Sequence, residues 1–174
     1  ILDELRATPE IRFILTRHEQ GAAFMAYGYA RASGKPGIVT ATEGPGVTNL
    51  ATGIAAANRG NVPVISICGV QESVVRERDS TQDMDQVTFM KPMTKWAYSI
   101  PNVEKVQELV RKAFRVALTE PQGPTHIEAS SEILLEQTTV EAIAPENYRH
   151  NILPTCDAAQ LDAVFALLKK SKQP

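Results

Sequence analysis

The chain has 174 residues, 43% hydrophobic and 22% charged, with a formal net charge of −2. A composition this near the globular average excludes a disordered tail, a collagen-like fibre and a low-complexity linker, and the charge balance argues against a protein that grips nucleic acid through its phosphates. No stretch approaches the roughly 18 apolar residues of a membrane span, and the opening ILDELRATPE lacks the basic and apolar regions of a secretory signal. The expectation is a cytoplasmic protein with neither nucleic acid nor membrane as partner. Cys68 and Cys156 are too few for a disulfide scaffold and are not spaced with the histidines as metal ligands would be.

Strands and helices alternate along the chain. Ile11 to Thr16 (IRFILT) is β-branched and aromatic, which predicts a buried strand. His18 to Ser33 carries small and apolar residues at helical spacing, and Gly34 and Pro36 supply the stop. Pro36 to Thr42 predicts a second strand, Glu43 to Gly46 a breaker, and Val47 to Asn58 a helix of small residues. Val62 to Cys68 (VPVISIC) is nearly all apolar, the pattern of a strand buried on both faces of a parallel sheet. A charged loop follows, then a short helix near Met84 to Met90 and a strand from Thr94 to Ile100. Beyond Asn102, Val106, Leu109, Val110, Ala113, Phe114, Ala117 and Leu118 form one apolar helical stripe, with Glu108 and Lys112 spaced as an exposed i, i+4 pair. The strand THIEAS ends at Ser130. No period is sustained from Ile133 to Thr155, so residues 137–156 read as a linker. Asp157 then predicts the cap of a last helix carrying Leu161, Val164, Phe165 and Leu168 on one face.

This alternation predicts an α/β fold, an open, mostly parallel sheet with helices on both faces. Ligands bind such sheets beyond the carboxyl ends of the strands, which singles out Arg17-His18-Glu19 and Glu43-Gly44-Pro45-Gly46. Two roles are open to Glu19: an acid favoured at the positive end of a helix, or a carboxylate that exchanges a proton with a bound heterocycle. His18 is either a second acid/base group or a hydrogen-bonded structural residue. Gly44, Pro45 and Gly46 lack the partners of a phosphate loop, and Glu43 would repel phosphate. A tight turn against a planar ligand or a neighbouring subunit fits them better. Thr48 and Asn49 offer polar contacts or caps there. Gln82, Asp79, Asp83 and Asp85 either line a cleft or belong to a solvated loop. No residue set stands out as metal-binding, and Cys68 reads as an inert core thiol.

Two blocks, RHEQGAAFMAYGYARASGKPG (17–37) and EGPGVTNLATGIAAANRGNVPVISICG (43–69), closely resemble the pyrimidine-binding domain of thiamine-diphosphate-dependent enzymes, in the branch of acetolactate synthase, oxalyl-CoA decarboxylase and related 2-oxo acid decarboxylases and carboligases. STQDMDQVTFMKPMTKWAYSI (80–100) and EPQGPTHIEAS (120–130) are similar to its next blocks, in the same order. The resemblance implies that Glu19 hydrogen-bonds N1′ of the cofactor's aminopyrimidine and so promotes loss of the thiazolium C2 proton. It implies that Gly44, Pro45, Gly46 and Asn49 lie against the cofactor and that Gln82, with His18 nearby, faces the substrate cleft.

The same resemblance implies residues 1–136 as the pyrimidine-binding domain without its first strand and helix, and 157–174 as the start of a middle domain. Mg²⁺ and the diphosphate would be held by a domain absent from this chain, since the GDG…Asn signature is missing. The active site would form between subunits of a homo-oligomer acting on a 2-oxo acid or an acyl-CoA, and the piece alone would be inactive. A non-catalytic α/β assembly module is the alternative of a different class. Three places depart from the family pattern: Glu43 before Gly-Pro-Gly, Thr81 before the glutamine, and Glu128-Ala129-Ser130 in the closing strand.

Overall fold

A computed structural model describes residues 1–78, 80–144 and 157–172. Contacts divide the chain into two units, Ile1–Val140 and Glu141–Pro174. The first unit runs α1 (Leu2–Ala7), α2 (Glu19–Ser33), β1 (Gly37–Val39), α3 (Pro45–Arg59), β2 (Val64–Val70), α4 (Gln86–Met90), β3 (Trp96–Ser99), α5 (Val106–Leu118), β4 (Thr125–Ser130) and α6 (Ser131–Leu135). Short 3₁₀ turns at Ser73–Val75, Lys91–Met93 and Val103–Lys105 join some of them. All three ladders are parallel and the strand order is β1-β2-β4-β3. The predicted open parallel sheet is therefore observed.

Pleating sends alternate residues to opposite faces. Val64 and Cys68 of β2 join Ala23, Ala26, Val47, Leu50 and Ile54 from α2 and α3 in one buried cluster. Ile65, Ile127 and Ala129 join Leu109, Ala113 and Ala117 of α5 in the other. Each face is thus covered by helices, and the α5 stripe meets the sheet as its spacing predicts. The exposed pair predicted for Glu108 and Lys112 is not formed. Glu108 instead bonds Lys105 at 2.7 Å, while Lys112 Nζ lies 4.7 Å from the centroid of the Trp96 ring, a cation–π contact. The glutamate has a nearer cation one turn back, and the lysine stem gains an aromatic face.

The strand predicted at Ile11–Thr16 is not formed. The segment has no ladder, and Ile11, Phe13, Ile14 and Leu15 are all exposed. Between it and β1 runs a groove of about 810 Å³ lined by residues including Phe13, Leu15, Met25, Ile38 and Thr40. A strand needs a neighbour about 4.8 Å away to accept its backbone hydrogen bonds, and among the described residues β1 pairs only with β2. The outer edge of β1 leaves Ile38 48% exposed.

In the second unit, α7 (Ala158–Lys170) starts where predicted, with the Asp157 carboxylate accepting from the Ala159 N–H at 3.1 Å. Its Leu161, Val164, Phe165 and Leu168 stay about half exposed. Cys156 lies outside the described residues. No helix among the described residues is long and apolar enough to cross a membrane.

Candidate functional site

The carboxyl ends of the strands open toward two helix starts. At the first, His18 is the N-cap of α2, its Nδ1 accepting the Gln20 N–H at 3.1 Å. That bond occupies one ring nitrogen in a structural role. The backbone turns at His18 and puts Glu19 in the first helical turn, half-buried. At the second, Gly44 caps α3 with φ +64° and ψ −112°, a conformation that favours glycine, and Pro45 takes the first helical position. A Cβ on Gly44 would stand 2.7 Å from the Gln82 backbone, so the loop after β2 is pressed onto this turn.

The two starts meet through one side-chain bond. Asn49 Nδ2 donates to Glu19 Oε2 at 3.1 Å, across thirty residues of sequence. A carboxylate only accepts and a primary amide donates twice, so Asn49 fixes one oxygen of Glu19. No bond to Oε1 occurs among the described residues. Thr48 Oγ donates to the Pro45 carbonyl at 3.0 Å and stays within the turn. Glu43 Oε2 accepts from the Thr42 hydroxyl at 3.2 Å and lies over Gly69 at the end of β2.

Other predicted residues have local partners. Asp83 Oδ2 accepts the Glu77 N–H at 2.6 Å. Asp85 caps α4 by accepting the Thr88 N–H at 2.9 Å, and its bonds from the Thr88 hydroxyl and N–H hold its carboxyl below the usual carboxylate range. Asp79 lies outside the described residues. Gln82 is half-buried beside the Gly44 turn, and its N–H reaches Ser80 Oγ at 3.5 Å. Cys68 is fully buried, and burial pushes its thiol up to about 12, in keeping with an inert core thiol. No group of three or more metal-capable side chains occurs among the described residues.

Beneath the turn lies a buried polar chain that the strand reading of THIEAS did not single out. Gln86 Oε1 accepts the Gly44 N–H at 2.5 Å, while its Nε2 donates to the Gly69 carbonyl at 2.9 Å and to Glu128 Oε2 at 2.7 Å. His126 Nε2 lies 3.3 Å from the same oxygen, and its Nδ1 is 2.7 Å from Ser66 Oγ. The available signal was the spacing of His126, Glu128 and Ser130, polar at every second position of a strand and so on one face.

Sequence comparison identifies the family. Residues 1–89 match the family model described as the thiamine pyrophosphate enzyme, N-terminal TPP binding domain. The chain belongs to this family. It is 34% identical over its whole length to the acetolactate synthase large subunit of Buchnera aphidicola subsp. Schizaphis graminum, covering 31% of that protein. The isozyme 1 large subunit of Escherichia coli K12 is also 34% identical over the whole chain, with 31% of it covered. A probable acetolactate synthase large subunit of Methanocaldococcus jannaschii is 42% identical over 69% of the chain and 20% of its own length. The chain thus spans about a third or less of the length of these relatives.

Proposed function

We propose that this chain supplies the aminopyrimidine-binding half of a thiamine-diphosphate active site in an acetolactate synthase-like enzyme, one that decarboxylates a 2-oxo acid and ligates the resulting acyl group. The observation that carries this reading is the Asn49–Glu19 bond at the carboxyl end of a parallel sheet. It fits the group: one carboxylate oxygen is held in place and the other can share a hydrogen with a ring nitrogen. When bound, the cofactor supplies the carbanion chemistry, and the protein supplies position and proton control. Glu19 holds or releases the proton at the ring nitrogen. Asn49 keeps the carboxylate oriented, and the Gly44-Pro45-Gly46 turn, bare of side chain at two of three positions, lets backbone approach a flat ring. Gln82 and His18 face the substrate side. Mg²⁺ and the diphosphate are assigned to another domain of a homo-oligomer, an assignment in keeping with Glu43 at this turn. Residues 1–136 form the pyrimidine-binding domain in this reading, and 157–174 begin the next.

The test is Glu19→Gln in the complete enzyme. The amide keeps an oxygen for Asn49 and removes only the exchangeable charge, so turnover of a 2-oxo acid is expected to fall by about 10²–10⁴-fold, the usual share of acid–base catalysis, with unchanged melting temperature. Unchanged turnover contradicts the assignment and favours an assembly module. Turnover of an acyl-CoA in place of a 2-oxo acid would move the protein to the oxalyl-CoA type, a shift that the departures at Glu43 and Thr81 make worth measuring.

A further inference from the structure

Ser66, His126 and Glu128 sit on one face of the sheet, where β2 and β4 pair Ser66 with His126 and Cys68 with Glu128. They are 0%, 0% and 3% exposed, and Gln86, which meets them from α4, is 1% exposed. A serine, a histidine and a carboxylate in a row suggest a nucleophile, but no substrate reaches groups this deep. Burying four polar side chains costs several kcal/mol unless each is bonded, and among the described residues no such buried side-chain atom lacks a partner.

The donor and acceptor inventory fixes the direction of the bonds at Gln86. The Gly69 carbonyl only accepts, so Gln86 must turn its NH₂ toward it, and the same NH₂ reaches Glu128 Oε2. That leaves Gln86 Oε1 to face the Gly44 N–H, which can only donate. A neutral His126 that presents Nε2–H to Glu128 leaves Nδ1 to accept the Ser66 hydroxyl proton. Turning the Gln86 amide over would set its oxygen against two acceptors and its NH₂ against a donor. The Gly44 turn begins α3, and α3 carries Asn49, the partner of Glu19.

We infer that Glu128 is a positioning residue: together with the Gly69 carbonyl it holds the Gln86 carboxamide in one orientation, which fixes the Gly44 turn and, through α3, the Asn49–Glu19 pair. The functional half of this inference rests on the cofactor reading above; the structural half does not. His126 brings a second nitrogen to the same Glu128 oxygen, and Ser66 holds the imidazole from its other side. No part of it reacts with substrate.

The test uses ¹⁵N-labelled chain without cofactor, so that its outcome is separate from that of the cofactor assignment. In the wild type the Gly44 amide should be strongly deshielded and protected from exchange, and His126 should be the Nε2–H tautomer. Glu128→Ala and Gln86→Leu should each shift the Gly44 signal upfield and speed its exchange about tenfold or more, while amides of β2 and β4 keep their protection. Glu128→Gln should rescue the Gly44 signal: an amide oxygen in the place of Oε2 accepts from both Gln86 and His126, and the imidazole keeps its Nε2–H tautomer. Should Glu128→Ala fail to fold, the Gln86→Leu and Glu128→Gln pair carries the same test. An unshifted, protected Gly44 amide in Gln86→Leu, or a wild-type His126 protonated on Nδ1, overturns the lock. In the complete enzyme, Glu128→Ala should raise the KM for thiamine diphosphate about tenfold and Glu128→Gln should restore it. An unchanged KM beside a lost Gly44 signal overturns the functional half alone.

Discussion

Replacing Gly44 by alanine puts the packing of the turn to a quantitative test. The residue sits at φ +64°, ψ −112°, and a side chain in such a sparsely populated region costs about 1–3 kcal/mol. The new Cβ would stand 2.7 Å from Gln82 Cα and its carbonyl oxygen, so backbone rather than a flexible side-chain end must move. That movement pulls the Gly44 N–H away from Gln86, to which it donates at 2.5 Å in a buried site, at a further cost of roughly 1–3 kcal/mol. The sum is about 2–6 kcal/mol, a large part of the roughly 5–15 kcal/mol that holds a domain folded. At about 2–4 °C per kcal/mol for a chain of this size, the melting temperature should fall by about 10 °C. Thermal unfolding followed by circular dichroism measures it. Gly28→Ala is the control: it lies inside α2 with nothing within 4 Å of an added Cβ, so the same change should stabilise by about 0.5–1 kcal/mol. A Gly44→Ala melting point within about 2 °C of the wild type would refute the strain and contact argument.

Further outcomes follow from single contacts. Cys68, fully buried with its thiol raised to about 12, should resist alkylation at pH 8 and react only when urea unfolds the chain; labelling of the folded protein read by mass spectrometry would contradict this. Asp85 has a folded-state pKa below its unfolded value, so its cap contributes fully above about pH 4 and is lost as pH falls toward the folded value. Asp85→Asn keeps an N-cap without the charge, and its melting-temperature difference from the wild type should therefore change between pH 5 and 2 (about the range of carboxylate titration). A constant difference would count against the assignment. Lys112→Ala removes the cation over Trp96, for a loss of about 0.5–1 kcal/mol, with a changed emission spectrum of the chain's one tryptophan; an unaltered spectrum would place the lysine elsewhere.

Most of the sheet was legible because buried parallel strands write continuous apolar runs. VPVISIC and THIEAS were found where β2 and β4 lie, within two residues. The α5 stripe was legible because its period survives thirteen residues. IRFILT carries the same β-branched signal, yet forms no strand, since a strand depends on neighbours and the edge facing it is a groove. At the site, Glu19, Gly44 and Asn49 stood out through motif and turn chemistry, and the structure brings the first and last into contact. The Gln86–Glu128–His126–Ser66 chain did not, because its members come from three separate elements and each alone reads as an ordinary polar residue. Periodicity gave the faces; only the fold gave the neighbours. Lys112 shows the same limit, since spacing offered Glu108 while tertiary packing offered Trp96.

Exchange of the C2 hydrogen of thiamine diphosphate with deuterated solvent in the complete enzyme bears most directly on Glu19. Rapid exchange is expected with the wild type, and exchange slowed by about 10²-fold or more in Glu19→Gln with the cofactor still bound, as loss of one acid–base group requires. Exchange at the wild-type rate in Glu19→Gln would contradict the role proposed for Glu19.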